Sequence, residues 1–373
     1  MIHIIPQTTT TTRFLKIKMY CRGLALIGLP LYTKRMTAPF LRVLAGEVCT
    51  PPPIWLMRQA GRYLPEYRAL RTQKGGFLEL LYDSDAAAEV TLQPIRRFGF
   101  DAAILFSDIL VTPQALGQNL RFTAGEGPEL SPPLAQARLE DLHSDPEILK
   151  PIYDTVRKVR AALPQNVGLI GFAGAPWTVA TYMVAGAGSR DLAAARLMAH
   201  TEPGRFAELI AAITTVTIDY LRRQADAGAQ ALMLFDSWSG PLSASQFERQ
   251  VIAPTAKIVA ALRESHTDVP FIGFPRGGGV RLPAYARETG VTALALDESI
   301  PALWAAQHLP DHLPLQGNID PLALLAGGDA LRSAVREVKD AFAGRPHIFN
   351  LGHGIIKETP ISHVEELVRL VRT

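Results

Sequence analysis

Short apolar runs recur along the chain and are separated by longer amphipathic or Ala-rich stretches. The runs are 54–57, 102–106, 167–172, 231–235, 269–274, 291–296, 313–316 and 348–351. Their length and apolarity suit buried parallel strands. The intervening stretches, such as 205–226 and 245–264, carry apolar residues at helical spacing. Arg222, Arg223 and the stop signal Gly228 fit a helix C-terminus feeding a strand. Eight strand–helix units predict an α/β fold: a single (β/α)8 TIM barrel with its active-site cleft at the C-terminal strand ends. A doubly wound open sheet is the alternative, because periodicity does not report closure.

Many runs end in polar, Gly or Pro residues: Arg58 and Gln59, Ser107 and Asp108, Asp236 and Ser237, Arg276, Asp297 and Glu298, Asn318 and Asp320, and His353. In a barrel these ends form the catalytic rim. Any strand that meets water also ends this way, so the pattern places a rim without naming its chemistry.

Composition narrows the classes. Of 373 residues, 48% are hydrophobic and 20% charged, enough apolar material for a sizeable core. The net charge of +3 comes from residues 1–35, which hold six Lys or Arg and no acid; beyond them, 32 basic residues face 35 acidic ones. The body therefore lacks the bulk basic character of a nucleic-acid binder. No apolar run approaches the roughly 20 residues needed to span a bilayer. Two cysteines, Cys21 and Cys49, imply neither a disulfide framework nor a zinc array, and a reducing compartment fits them. Residues 1–35 read as an N-terminal extension. A misassigned start before Met36 is preferred to an organelle transit segment, and a secretory signal is the weakest reading.

Arg58 and Arg62 stand four apart, and Arg68 and Arg71 follow. Guanidinium is permanently charged and grips a carboxylate through parallel hydrogen bonds, so clustered arginines suit a polyanionic ligand. Spacing alone leaves a solvated helix face equally open. Asp108 after Ser107 could equally be a helix cap or turn residue. Pro275–Gly279 is Gly-rich but lacks the Lys-Ser/Thr of a phosphate loop, and reads as a strand-to-loop hinge.

The segment Arg58-Gln59-Ala60-Gly61-Arg62-Tyr63 strongly resembles the signature of uroporphyrinogen decarboxylases. Further matches follow in order at 106–110, 171–178, 235–238, 316–321 and 349–354. The resemblance covers the chain from about Met36 to the end, residues 36–373, as one catalytic domain. It implies removal of carboxyl groups from the four acetate side chains of uroporphyrinogen, giving coproporphyrinogen, without metal or organic cofactor. It implies a cytoplasmic homodimer, with organelle targeting by residues 1–35 as the alternative.

Residue by residue, the resemblance gives Asp108 the pyrrole N–H groups and the positive charge that develops there. Arg58 and Arg62 become carboxylate binders in a loop completed by Gln59, Ala60 and Gly61, with Arg58 also near proton transfer. Arg71 is a secondary carboxylate ligand. Tyr182, Ser237 and His353 hydrogen-bond carboxylates, and Tyr182 and His353 join Arg58 and Asp108 as catalytic residues. Phe172 and Tyr67 pack against the macrocycle. Residues 184–190 depart from the family's acidic residue near Ala185. Two rivals remain at this point: a barrel methyltransferase of the corrinoid or methionine type, which needs zinc ligands this sequence lacks, and a noncatalytic tetrapyrrole binder.

Overall fold

The computed structural model describes residues 38–123, 127–189 and 191–373. The sequence-based readings of residues 1–35 lie outside these. Seven parallel strands form one sheet: β1 (Ala102–Ile104), β4 (Gly168–Gly174), β5 (Ala231–Asp236), β6 (Phe271–Pro275), β7 (Ala293–Ala295), β8 (Leu315–Ile319) and β9 (His347–Leu351), hydrogen-bonded in that order. Helices connect them, and the strands are buried on both faces, as their unbroken apolar runs require.

The first apolar run departs from expectation. Only Ile54 makes a bridge, in parallel with Phe349 of β9, while the backbone of 56–59 turns away. On its other side, the Ile54 carbonyl accepts from Asp101 N–H (2.9 Å) and the Asp101 carboxylate accepts from Ile54 N–H (2.9 Å). Both edges of the seven-stranded sheet thus reach the same short segment, and the sheet is curled.

A second departure is an antiparallel hairpin between β1 and β4, made of β2 (Asn119–Thr123) and β3 (Gly127–Ser131). Strand β2 does alternate polar and apolar residues over Asn119–Thr123, but a search for continuous apolar runs passes over a half-exposed hairpin. The stretch 245–264 is helical, but a π-turn at Glu248–Ile252 interrupts it.

The long helix Pro203–Asp226 shows how side chains complete what the sheet leaves open. It buries Phe206, Leu209, Ile210, Ile213, Thr217, Tyr220, Leu221 and Gln224, a stripe at three- and four-residue spacing. Strand β1 ends level with Ile170 of β4, so the peptide groups of Phe172 extend beyond it. The Gln224 amide fills that gap, accepting from Phe172 N–H and donating to Phe172 C=O, both at 2.9 Å. A β-carbon on Gly171 would lie 2.6 Å from the Gln224 oxygen, so glycine makes room for the clamp. Buried peptide groups need partners, and here a helix supplies them.

Candidate active site

The predicted site residues gather at the C-terminal ends of the parallel strands. Asp108 follows β1, Phe172 lies near the end of β4, Ser237 follows β5, and His353 follows β9. Tyr182 comes from the helix Pro176–Ala185 after β4, and Tyr67 and Arg71 from the helix Pro65–Lys74.

Arg58 is the most constrained of them. Its φ is +60°, in the left-handed region that non-glycine residues rarely enter, at a cost of about 1–2 kcal/mol. The flanking residues hold it there. Met57 N–H donates to Asn350 Oδ1 (3.0 Å) and Met57 C=O accepts from Ile355 N–H (2.9 Å). Gln59, fully buried, accepts from Leu56 N–H (3.2 Å) and donates to Ala102 C=O (3.1 Å). Its side chain therefore shapes the arginine loop from behind, at the start of β1. Tyr63 donates to Gln59 C=O (2.8 Å), and Arg68 donates to Arg62 C=O (2.7 Å) and Tyr63 C=O (3.1 Å). The Arg58 side chain lies against Gly354, where a β-carbon would stand 2.4 Å from its Cδ. Arg58 and Arg62 are exposed, with Ala60 and Gly61 half-buried between them. Neither guanidinium is in ion-pair contact with a carboxylate among the described residues.

Asp108 is half-buried and accepts from Leu110 N–H (2.9 Å). Burial pushes its carboxyl up to about 6, although that hydrogen bond and the nearby Arg58 charge pull downward. Both the turn role and an open carboxylate oxygen are therefore present. Tyr182 is raised by burial, hydrogen-bonds Trp238, and lies within electrostatic reach of Asp108 and Arg58. Tyr67 packs edge-on against Phe106 at 5.8 Å, hydrogen-bonds Arg71, and is also raised by burial. Arg71 lies over the Phe77 ring at 5.6 Å.

His353 is driven down to about 3, first by burial and then by Arg58 and Arg276, so its imidazole is neutral at pH 7. Its ring neighbours Phe274 (6.4 Å), which meets Phe235 (5.9 Å), which meets Phe172 edge-on (5.4 Å). This aromatic row follows strands β4, β5 and β6; Phe172 and Phe274 are buried and Phe235 half-buried, so the row backs the site from within the fold. Phe235 and Phe274 were not singled out because apolar strand residues look like core from sequence, and Trp238 lies in the turn just past the end of β5. Ser237 is half-buried beside Trp238. Trp238 is held by Thr178 Oγ1 on its N–H (3.1 Å) and by the Trp177 indole N–H on its C=O (2.9 Å). Asp236, buried behind Ser237, accepts from the Thr178 hydroxyl and is pushed up to about 7 by desolvation. Among the described residues, no group of three His, Cys, Asp or Glu side chains is arranged to hold a metal ion. No helix among them is long and apolar enough to cross a membrane.

The site thus joins unpaired arginines, a central carboxylate and an aromatic wall. The family model described as uroporphyrinogen decarboxylase matches residues 36–373. The chain belongs to that family. A uroporphyrinogen decarboxylase from Rhizorhabdus wittichii is 62% identical over 336 residues, covering 90% of this chain and 98% of the relative. Another from Erythrobacter litoralis is 64% identical over 320 residues, covering 86% and 94%. Among solved structures, a methyltransferase from Methanosarcina mazei superposes with a TM-score of 0.74 at 18% identity, over 90% of this chain and 98% of that one. A B12-independent methionine synthase from Shewanella sp. W3-18-1 gives 0.53 at 8% identity, over 78% and 85%. At such identities the likeness concerns the fold alone, and the methyltransferase reading gains no support from it.

Proposed function

We propose that the chain decarboxylates the four acetate side chains of uroporphyrinogen to methyl groups, giving coproporphyrinogen and carbon dioxide in porphyrin biosynthesis. The observation that carries the assignment is Asp108, an ionisable carboxylate near the unpaired Arg58, with an aromatic row packed behind the site. Residues 36–373 act as one catalytic domain, with 1–35 as an extension. Closure of the barrel by the 54–57 segment is supported by its bonds to β9 and to Asp101 beside β1.

Loss of carbon dioxide leaves an electron pair that needs a sink. Protonation of a pyrrole carbon creates that sink within the substrate. The side-chain carboxylate then breaks its C–C bond, its electrons neutralise the ring cation, and the exocyclic carbon takes up a proton as the ring carbon loses one. Each cycle replaces carboxylate by hydrogen, consuming one proton overall. No metal or organic cofactor enters.

In this scheme Asp108 accepts hydrogen bonds from the pyrrole N–H groups and stabilises the cation by proximity in a water-poor setting. Arg58 and Arg62 bind carboxylates, and their open donors match that task. Arg58 orients the reacting acetate; free guanidinium, with a pKa above 12, is a poor acid. Tyr182, Ser237 and neutral His353 offer hydrogen bonds to carboxylates, Arg71 serves an outer one, and Phe172 and Tyr67 pack against the macrocycle. Gln59, Ala60 and Gly61 shape the arginine loop. A homodimer working in the cytoplasm completes the proposal.

The test is to supply anaerobically generated uroporphyrinogen to purified protein after chelator treatment and to resolve products chromatographically. Coproporphyrinogen is expected. No product, or activity that depends on added zinc, overturns the assignment.

A further inference from the structure

The assigned arginines all come from one side of the cleft, between residues 58 and 71. A further arginine stands across it. Arg276 follows β6 directly, two residues after Phe274, whose ring meets His353. Both Arg276 and Arg58 bear electrostatically on His353, and the strand order sets β6 four strands away, counted either way round the curled sheet, from the Ile54 segment that leads to Arg58.

The Arg276 backbone is fixed at both ends: its N–H donates to Asp236 C=O (3.0 Å) and its C=O accepts from Ser239 Oγ (2.8 Å). The next residue is pinned as well, with Gly277 N–H donating to Asp297 Oδ2 (2.8 Å). The side chain, by contrast, makes a single contact. Nη2 donates to Glu298 Oε1 at 2.8 Å, and both side chains keep a quarter to a third of their surface open (33% and 25%). Glu298 Oε2 is buried without a partner. Its backbone is packed so closely on Gly352 that a β-carbon there would sit 2.1 Å from Glu298 N. Glu298 is therefore seated against the turn that carries His353.

A guanidinium has five N–H donors in a planar fork, and one contact at Nη2 leaves the other edge unused. We propose that Arg276 is a further carboxylate-binding residue, taking a substrate carboxylate on the side of the cleft opposite Arg58 and Arg62. Glu298 is its positioning residue: it fixes the plane of the guanidinium by one oxygen and moderates its charge. This inference rests on the proposed uroporphyrinogen reaction and deepens it. The substrate spreads acetates and propionates around its whole rim, and arginines on one side reach only part of it.

The experiment measures kcat, KM and thermal midpoint for wild type, Arg276→Ala, Glu298→Gln and Glu298→Ala. Substrates are uroporphyrinogen and the intermediate that keeps a single acetate. Losing a charge-assisted contact at a partly open site raises the KM of Arg276→Ala roughly tenfold. Glu298→Gln keeps an oxygen for Nη2 and removes the competing charge, so its KM stays at or below that of wild type. Glu298→Ala loses orientation and raises KM. A defect with both substrates assigns the contact to a propionate; a defect confined to uroporphyrinogen assigns it to an acetate.

If Arg276→Ala lowers the thermal midpoint while KM stays within twofold of wild type, the pair is a tether between two loops and the inference falls. It also falls if Glu298→Gln raises KM roughly tenfold over wild type, a result that keeps the test valid should Arg276→Ala fold poorly. Failure of wild type itself to make coproporphyrinogen would indict the reaction, not this residue.

Discussion

Asp108→Asn separates catalysis from stability. Burial raises the Asp108 carboxyl from 3.8 to about 6. In the unfolded chain it ionises near its ordinary value, so between pH ~4 and ~6 the folded state holds a proton that the unfolded state has released. Stability attributable to this group therefore falls as pH rises through that window, and stays low above it. A shift of about two units corresponds to about 3 kcal/mol as an upper bound. Because the carboxylate borders an open cleft, water screens it, and about 1.5 kcal/mol is the working figure.

Asparagine keeps an oxygen for Leu110 N–H and removes the charge. At about 2.1 cal/mol/K per residue, a domain of this size gains about 2 °C at pH 7.5, and the gain disappears near pH 4. Turnover should fall by several hundredfold or more, because the cation loses its counter-charge, while KM changes little. Calorimetry across pH 4–8 and steady-state kinetics on uroporphyrinogen read the two effects. A variant less stable than wild type at pH 7.5, or a gain independent of pH, would falsify the desolvated-charge argument. Equal losses in binding and turnover would remove the special role of Asp108.

Two structural perturbations test how the site is built. Gln59→Ala leaves Leu56 N–H and Ala102 C=O without their buried partner and opens a cavity. We expect about 2–4 kcal/mol of destabilisation in urea titrations together with a raised KM, since the loop carrying Arg58 loses its support. An unchanged KM would show that the loop holds its shape without this clamp. Gly352→Ala drives a β-carbon into Glu298 N, a backbone atom that no rotamer change can clear. The expected loss is about 3 kcal/mol, measured by the same titration. A neutral effect would mean that the His353 turn shifts freely.

Much of this protein was legible without coordinates. Seven of the eight predicted apolar runs overlap strands of the parallel sheet, because burial on both faces leaves a continuous apolar signature. The residue types of the site were legible too: arginines, a carboxylate and a histidine at strand ends, in motifs whose order carried the family resemblance. Where the first run failed, the cause was local. Residues 56–59 had to turn to place Arg58, and apolarity alone does not distinguish a strand from a buried approach to a loop.

What only the tertiary structure decided was the state of those residues. The left-handed Arg58 depends on Asn350, Gln59 and Ile355, each brought in from elsewhere in the chain or hidden as an ordinary polar residue. The raised Asp108 and the depressed His353 follow from desolvation, which belongs to the packed surroundings and to no single residue. Residue 276 read as a polar strand end beside a glycine hinge, and only the fold paired it with Glu298 and brought its charge to bear on His353. Sequence names the groups and their spacing along the chain. Distance, burial and the charges that face one another exist only once strands far apart in sequence lie side by side.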